Sequence, residues 1–188
     1  MAEEDRSTRI AYAMLFLFMR IVGPNFWHWL AMRWDWGGKL YVIDWIVKQR
    51  RCDAGTALLI FYAGEGAYFL GEKKSDVLSK PNAYTDLNRL ICIYIANRLN
   101  SGGYRRSKIA FAPSVSNKND YLDMERRVKA LSHPSFEVTP ALILSRKGKA
   151  FALEDIETVG PRATALLDEV AHIERRAMEG FPEWLRNA

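Results

Sequence analysis

The sequence is poor in the residues that metal sites and catalytic centres use most. It has three histidines, His28, His133 and His172, and two cysteines, Cys52 and Cys92, among 188 residues. No histidine has a second ligand at a metal-binding spacing, and the cysteines show neither a Cys-x-x-Cys nor a Cys/His pattern. No nucleotide-binding glycine loop or Gly-x-Ser-x-Gly motif is complete either. We therefore expect no metal, no cofactor and no enzymatic activity, and we expect both cysteines to be buried free thiols.

Long hydrophobic runs are also missing. The apolar run at residues 10–19 has ten residues and ends at Arg20, which is about half the length of a membrane-spanning helix. The acidic residues before this run argue against a secretory signal, which needs a positive first part. We therefore expect a cytoplasmic protein that is not associated with a membrane.

Positive charge is concentrated in the middle of the chain. The 27 Lys and Arg residues exceed the 22 Asp and Glu residues and give a net charge of +5. Residues 98–149 hold 11 basic and four acidic residues, whereas residues 150–188 hold four basic and eight acidic ones. A basic region of this kind suits an acidic partner, with exposed aromatic rings as anchors. The predicted partner-binding residues are Tyr104, Arg105, Arg106, Lys108, Tyr121, Arg126 and Arg127.

The same basic region also fits a nucleic-acid surface or a surface without a partner. Basic residues interleaved with aromatic ones could hold RNA or DNA by phosphate contacts and stacking. An ordinary solvated surface would have the same composition.

The apolar periodicity predicts an all-α fold, a single compact bundle of seven or eight helices over residues 1–188. Residues 141–153 are ambiguous, because the pattern there fits a helix at 141–147 or one short β-hairpin. The predicted helices are 7–22, 24–32, 39–50, 54–63, 85–99, 119–131, 141–147 and 161–178. Within this one domain we distinguish a core at 27–62, a basic middle at 98–149 and an acidic C-terminal segment at 150–188.

The core at 27–62 carries two short motifs. Trp34-Asp35-Trp36-Gly37 forms a turn, and after a helix comes Cys52-Asp53-x-Gly55-Thr56-Ala-Leu. This arrangement resembles the bacterial family of domain of unknown function 4274 (DUF4274). The resemblance implies a helical bacterial domain and transfers no catalytic residue.

Elementary chemistry gives the motif residues structural roles. We expect Asp53 to cap a helix, Thr56 to join that cap and Asp35 to bond the backbone of the following helix. Gly55 would permit close packing, and Cys52 would fill a small apolar space.

The functional hypothesis combines the basic region, the missing chemistry and the resemblance. Similar small helical bacterial domains often serve as immunity partners of secreted toxins, which is an analogy of fold class. We therefore expect a non-enzymatic module that binds a cognate toxin or another acidic protein. Its function would be that of an immunity protein against a toxin of the type VI secretion or contact-dependent type. The alternative is an RNA- or DNA-binding regulator that uses the basic surface at 104–129.

Overall fold

The computed structural model describes residues 2–36, 40–71, 83–130 and 138–150. These residues form seven α-helices, one 3₁₀ turn and no strand, so the predicted all-α class is confirmed. None of the described helices combines the length and the apolar character that a bilayer crossing needs. The predicted last helix at 161–178 lies outside the described residues. The helices are α1 (Ala2–Val22), α2 (Pro24–Met32), α3 (Tyr41–Lys48), α4 (Ala54–Ala63), α5 (Gly66–Gly71), α6 (Ala83–Asn100) and α7 (Val115–Lys129).

The chain divides into two compact units between Phe26 and Trp27. In the first, α1 buries Leu15 and Met19 but exposes Met14, Leu17 and Ile21, the last by 82%. The sequence of this helix is apolar on nearly every side, which predicts that the helix is enclosed on all sides. That expectation was wrong, since the exposed residues form a stripe along one side of the helix.

The second unit, Trp27–Phe151, is organised around α6. Helices α3, α4 and α5 pack against α6, and α5 also packs against α7. The interior is aliphatic and aromatic, with Phe61, Ile91 and Ile95 among its fully buried side chains. Whether the whole chain forms one domain stays a prediction.

The ends of several helices follow local sequence signals. Asp53 caps α4, as predicted, by accepting a hydrogen bond from the Gly55 N–H at 2.9 Å. Helix α7 begins four residues before its predicted start, because Ser114 and Asn117 form a reciprocal capping box. Helix α6 begins at Ala83, two residues before its predicted start.

Residues 138–150 form neither of the predicted structures. Pro140–Leu142 is a single 3₁₀ turn, and the chain then pairs with a distant segment by isolated β-bridges. Phe111 and Arg146 exchange both backbone hydrogen bonds, at 2.8 and 3.1 Å, and Ile109 bridges Lys149. The expected helix at 141–147 was therefore wrong, and the apolar residues of 141–144 do not form one arm of a local hairpin. Arg146 and Lys149 instead pair with residues far away in the sequence, and local periodicity cannot reveal such pairing.

Candidate binding surface

Two irregular segments lie side by side at the start of α4. The central segment, residues 104–111, contacts Asp53 on one side and the return segment, residues 146–149, on the other. The Ala54 N–H donates to the Arg106 carbonyl at 2.8 Å, and the Lys149 N–H donates to the Lys108 carbonyl at 2.8 Å. The central segment is thus fixed by backbone bonds along both of its sides.

Asp53 is the buried charge that anchors the central segment. Its side chain is 0% exposed. One oxygen, Oδ1, accepts from the Gly55 N–H, and the other, Oδ2, accepts from the Lys108 N–H at 2.7 Å. The same Oδ2 forms an ion pair with the Arg106 Nε at 3.5 Å. These partners compensate the loss of water around the carboxylate, which a buried charge requires.

Two glycines allow the segments to approach so closely. A Cβ on Gly55 would lie 2.5 Å from the carbonyl oxygen of Ile109. A Cβ on Gly148 would lie 2.4 Å from the carbonyl oxygen of Lys108. Both contacts involve backbone atoms, so neither can be relieved by turning a side chain. The predicted role of Gly55 in close packing is confirmed.

Six basic residues project from the paired segments, and we call them the basic cluster. Four are exposed, whereas Arg106 and Arg146 are half-buried. Neither segment contains an Asp or a Glu, and the carboxylate that pairs with Arg106 is the buried Asp53 of the α4 cap. The cluster consists of Arg105, Arg106, Lys108, Arg146, Lys147 and Lys149.

Three members of the cluster, Arg146, Lys147 and Lys149, are missing from the predicted site. They lie about forty residues beyond the central segment in the sequence, and only the β-bridges bring them together. The available signal was the glycine between the two lysines, since Lys147-Gly148-Lys149 favours a close approach of another backbone.

At the basic end of α7, the charges are paired with carboxylates of the same helix. Asp123 contacts Arg127 at 2.8 Å and Arg126 at 3.6 Å, and Glu125 contacts Lys129 at 3.0 Å. Such pairs stabilise little, but they reduce the net positive field that a partner would meet. Arg126 and Arg127 are therefore weaker candidates for partner contacts than the cluster.

Tyr104 and Tyr121 are not exposed anchors, which corrects the prediction for both. Each is only 7% exposed. The Tyr104 hydroxyl donates to the Val47 carbonyl at 3.0 Å, and the Arg98 guanidinium lies 4.4 Å from its ring centre. Burial raises the pKa of both phenols above the ordinary value. Their large apolar rings pack in the interior, although charged residues lie next to both tyrosines in the sequence.

Of the remaining motif residues, Cys52 and Thr56 are buried. Cys52 is 0% exposed and is a free thiol, as expected. Thr56 does not join the helix cap, since its hydroxyl pairs with the His28 Nδ1 at 3.0 Å. Trp34 and Trp36 are half-buried, Asp35 is exposed, and Gly37 lies outside the described residues.

His28 is the one histidine in the described part of the chain. It is 6% exposed, and burial lowers its pKa, although Asp53 acts in the opposite direction. In the same part of the chain, no group of three His, Cys, Asp or Glu residues is placed to hold a metal ion. The His28–Thr56 pair connects α2 to the first turn of α4, and we assign it a structural role.

The fold and the surface define the class of protein. It is a helical protein with an irregular basic surface, and the buried Asp53 contacts the segment that carries part of this surface. Residues 23–94 match the family model described as Domain of unknown function (DUF4274). The predicted resemblance is thereby confirmed, and the match extends beyond residues 27–62 on both sides. No curated protein and no solved structure matches the chain. The matched residues include Asp53 and Gly55, whereas the basic cluster lies outside the match.

Proposed function

We propose that this protein is a non-enzymatic binding module that uses the basic cluster to recognise an acidic protein surface. In its specific form, it is an immunity protein that binds and neutralises a cognate bacterial toxin of the type VI secretion or contact-dependent type. The observation that supports binding is the basic cluster itself: six cations on two neighbouring segments that contain no Asp or Glu.

The way the cluster is held favours tight recognition. Backbone bonds on both sides fix the central segment, so a partner would not have to order it on binding. Clustered positive charge also steers an acidic partner during encounter and disfavours basic ones. A stoichiometric inhibitor, which must find its target quickly and hold it, needs both properties.

A protein partner agrees better with the aromatic residues than a single-stranded nucleic acid does. Stacking on bases requires exposed rings. Tyr104 is buried, and Phe111 is half-buried with its ring stacked on Tyr62 at 5.9 Å. The basic cluster therefore offers charge without a stacking platform, which is what a carboxylate-rich protein surface requires.

The experiment is co-expression with the protein encoded by the adjacent reading frame, scoring host survival and co-purification at moderate salt. Rescue from a toxic neighbour together with a stable complex would support the immunity function. A harmless neighbour and no complex would contradict it. Binding to nucleic acid with an affinity that falls steeply with salt would favour the alternative regulator.

Charge reversal then tests the surface. Arg105→Glu together with Lys147→Glu should weaken the complex by at least about tenfold, because both side chains are exposed in the cluster. Lys118→Glu on α7 is the control, since it makes the same kind of charge change at an exposed residue outside the cluster. Equal affinities of the double variant and the wild type would refute the interface.

A further inference from the structure

We infer that Asp53 is a positioning residue that holds the basic cluster in its binding geometry, in addition to capping α4. This inference deepens the proposed function and rests on it, because it explains how the proposed surface is kept in place. It also gives the family motif a role that reaches beyond the family match, since the cluster lies outside residues 23–94.

The two carboxylate oxygens of Asp53 have separate tasks. Oδ1 accepts from the Gly55 N–H, which is all that the cap of α4 requires. Oδ2 faces the central segment, where it accepts from the Lys108 N–H and pairs with the Arg106 guanidinium. A cap alone would need neither the second oxygen nor the full charge, and neutral Ser, Thr or Asn caps helices as well.

Asp53 affects the position of the exposed cations through hydrogen bonds to the backbone that carries them. The Lys108 N–H is held by Asp53, and the Lys108 carbonyl accepts from the Lys149 N–H on the opposite side. The Ala54 N–H fixes the Arg106 carbonyl next to the same carboxylate. One buried side chain thus holds Arg106 and Lys108 directly, and Lys108 bonds in turn to Lys149 of the return segment.

Asp53→Asn separates the two tasks. Asparagine keeps an oxygen for the Gly55 N–H, so α4 retains its cap. It replaces Oδ2 by an NH₂ group, which is a donor and would face the Lys108 N–H, another donor, and the Arg106 cation. The variant therefore loses the contacts to the central segment with almost no change in side-chain volume.

Amide hydrogen exchange of the full chain tests the inference directly. In Asp53→Asn, the amides of Lys108, Ala110 and Lys149 should lose protection by about tenfold or more, because a buried donor without an acceptor favours local opening. Protection of amides in the later turns of α4 should change much less. Ile91→Val in α6 is the control, since it removes a buried methylene and lowers stability without touching the segments.

Partner binding supplies the second measurement. We expect Asp53→Asn to weaken binding to the co-purified partner several-fold, with an altered association rate at low salt, and we expect Ile91→Val to bind like the wild type. Unchanged protection at Lys108, Ala110 and Lys149 would overturn the inference, whether or not a partner binds. Lost protection with wild-type affinity would also overturn it, because the cluster would then bind without being held. Insensitivity to Arg105→Glu with Lys147→Glu would instead overturn the proposed function, and the exchange measurement would still decide whether Asp53 holds the segments.

Discussion

Replacement of Gly55 by alanine should destabilise the protein, although the same change usually stabilises a helix. Gly55 lies in the first turn of α4, where alanine would gain up to about 1 kcal/mol from its higher helix propensity. The added Cβ would, however, lie 2.5 Å from the Ile109 carbonyl oxygen, well inside the contact distance. Since the clash is with backbone, the central segment must move away from α4.

The magnitude follows from what this movement breaks. The shift would strain or break the bonds from the Lys108 N–H to Asp53 and from the Ala54 N–H to the Arg106 carbonyl. Each is worth about 1 kcal/mol, and the overpacking adds about 1–3 kcal/mol. After the propensity gain of up to about 1 kcal/mol is subtracted, we expect the free energy of unfolding to fall by about 2–4 kcal/mol.

Urea unfolding followed by circular dichroism measures this free energy, and the denaturant slope should stay constant if only stability changes. Gly148→Ala is the companion variant, because its Cβ would lie 2.4 Å from the Lys108 carbonyl on the opposite side of the same segment. The double variant should be more destabilised than the sum of the two single ones, because the Gly55 clash pushes the central segment toward the return segment, where the Gly148 clash lies. Two results would refute the packing of the central segment between α4 and the return segment. One is a Gly55→Ala protein as stable as the wild type, and the other is strictly additive effects of the two substitutions.

Three further predictions concern residues away from the cluster. Glu65 has a left-handed backbone with φ of 56°. Glu65→Gly should therefore raise the free energy of unfolding by about 1 kcal/mol, whereas Glu65→Ala should not. Equal urea midpoints for the two variants would contradict the predicted backbone strain. Burial lowers the pKa of His28 from its ordinary 6.5, so the unfolded state binds the proton more tightly and the free energy of unfolding should fall as the pH drops below about 6.5. In urea titrations from pH 7.5 to 5.5, His28→Gln should depend less on pH than the wild type. Identical pH profiles would exclude His28 as the source of the pH dependence. Burial raises the pKa of Cys92 to about 12 and that of Cys52 further still. Ellman's reagent at pH 8 should therefore label neither thiol in the folded protein and both thiols in denaturant. Rapid labelling of the native protein would contradict their burial.

The helices that the sequence predicted well begin at strong local signals. Helix α2 begins at Pro24 and α4 lies between Asp53 and Gly64, and both agree with the predicted bounds. The start of α7 was missed because its capping box uses Asn117, where Glu or Gln is the usual partner. Local chemistry therefore predicts an element well when the capping residues are the common ones.

The candidate surface could be predicted only in part. The excess of basic charge pointed to the central segment, but the pairing with residues 146–149 depends on contacts that no local pattern encodes. The cap at Asp53 was predictable from its place before α4, whereas the task of its second oxygen was not, because Lys108 is 55 residues away. The burial of Tyr104 was missed for the same reason, since its acceptor, the Val47 carbonyl, is equally remote in the sequence.

The order in which the chain is synthesised affects when the paired segments can form. Asp53 leaves the ribosome well before Lys108, and Lys149 follows later still, so the two sides of the central segment become available at different times. Contacts between residues so far apart also form slowly, because the entropy of a long loop must be lost before any stabilising bond forms. We therefore expect the helices around α6 to assemble while the cationic face is still incomplete, so that a nascent chain would complete this face late in folding.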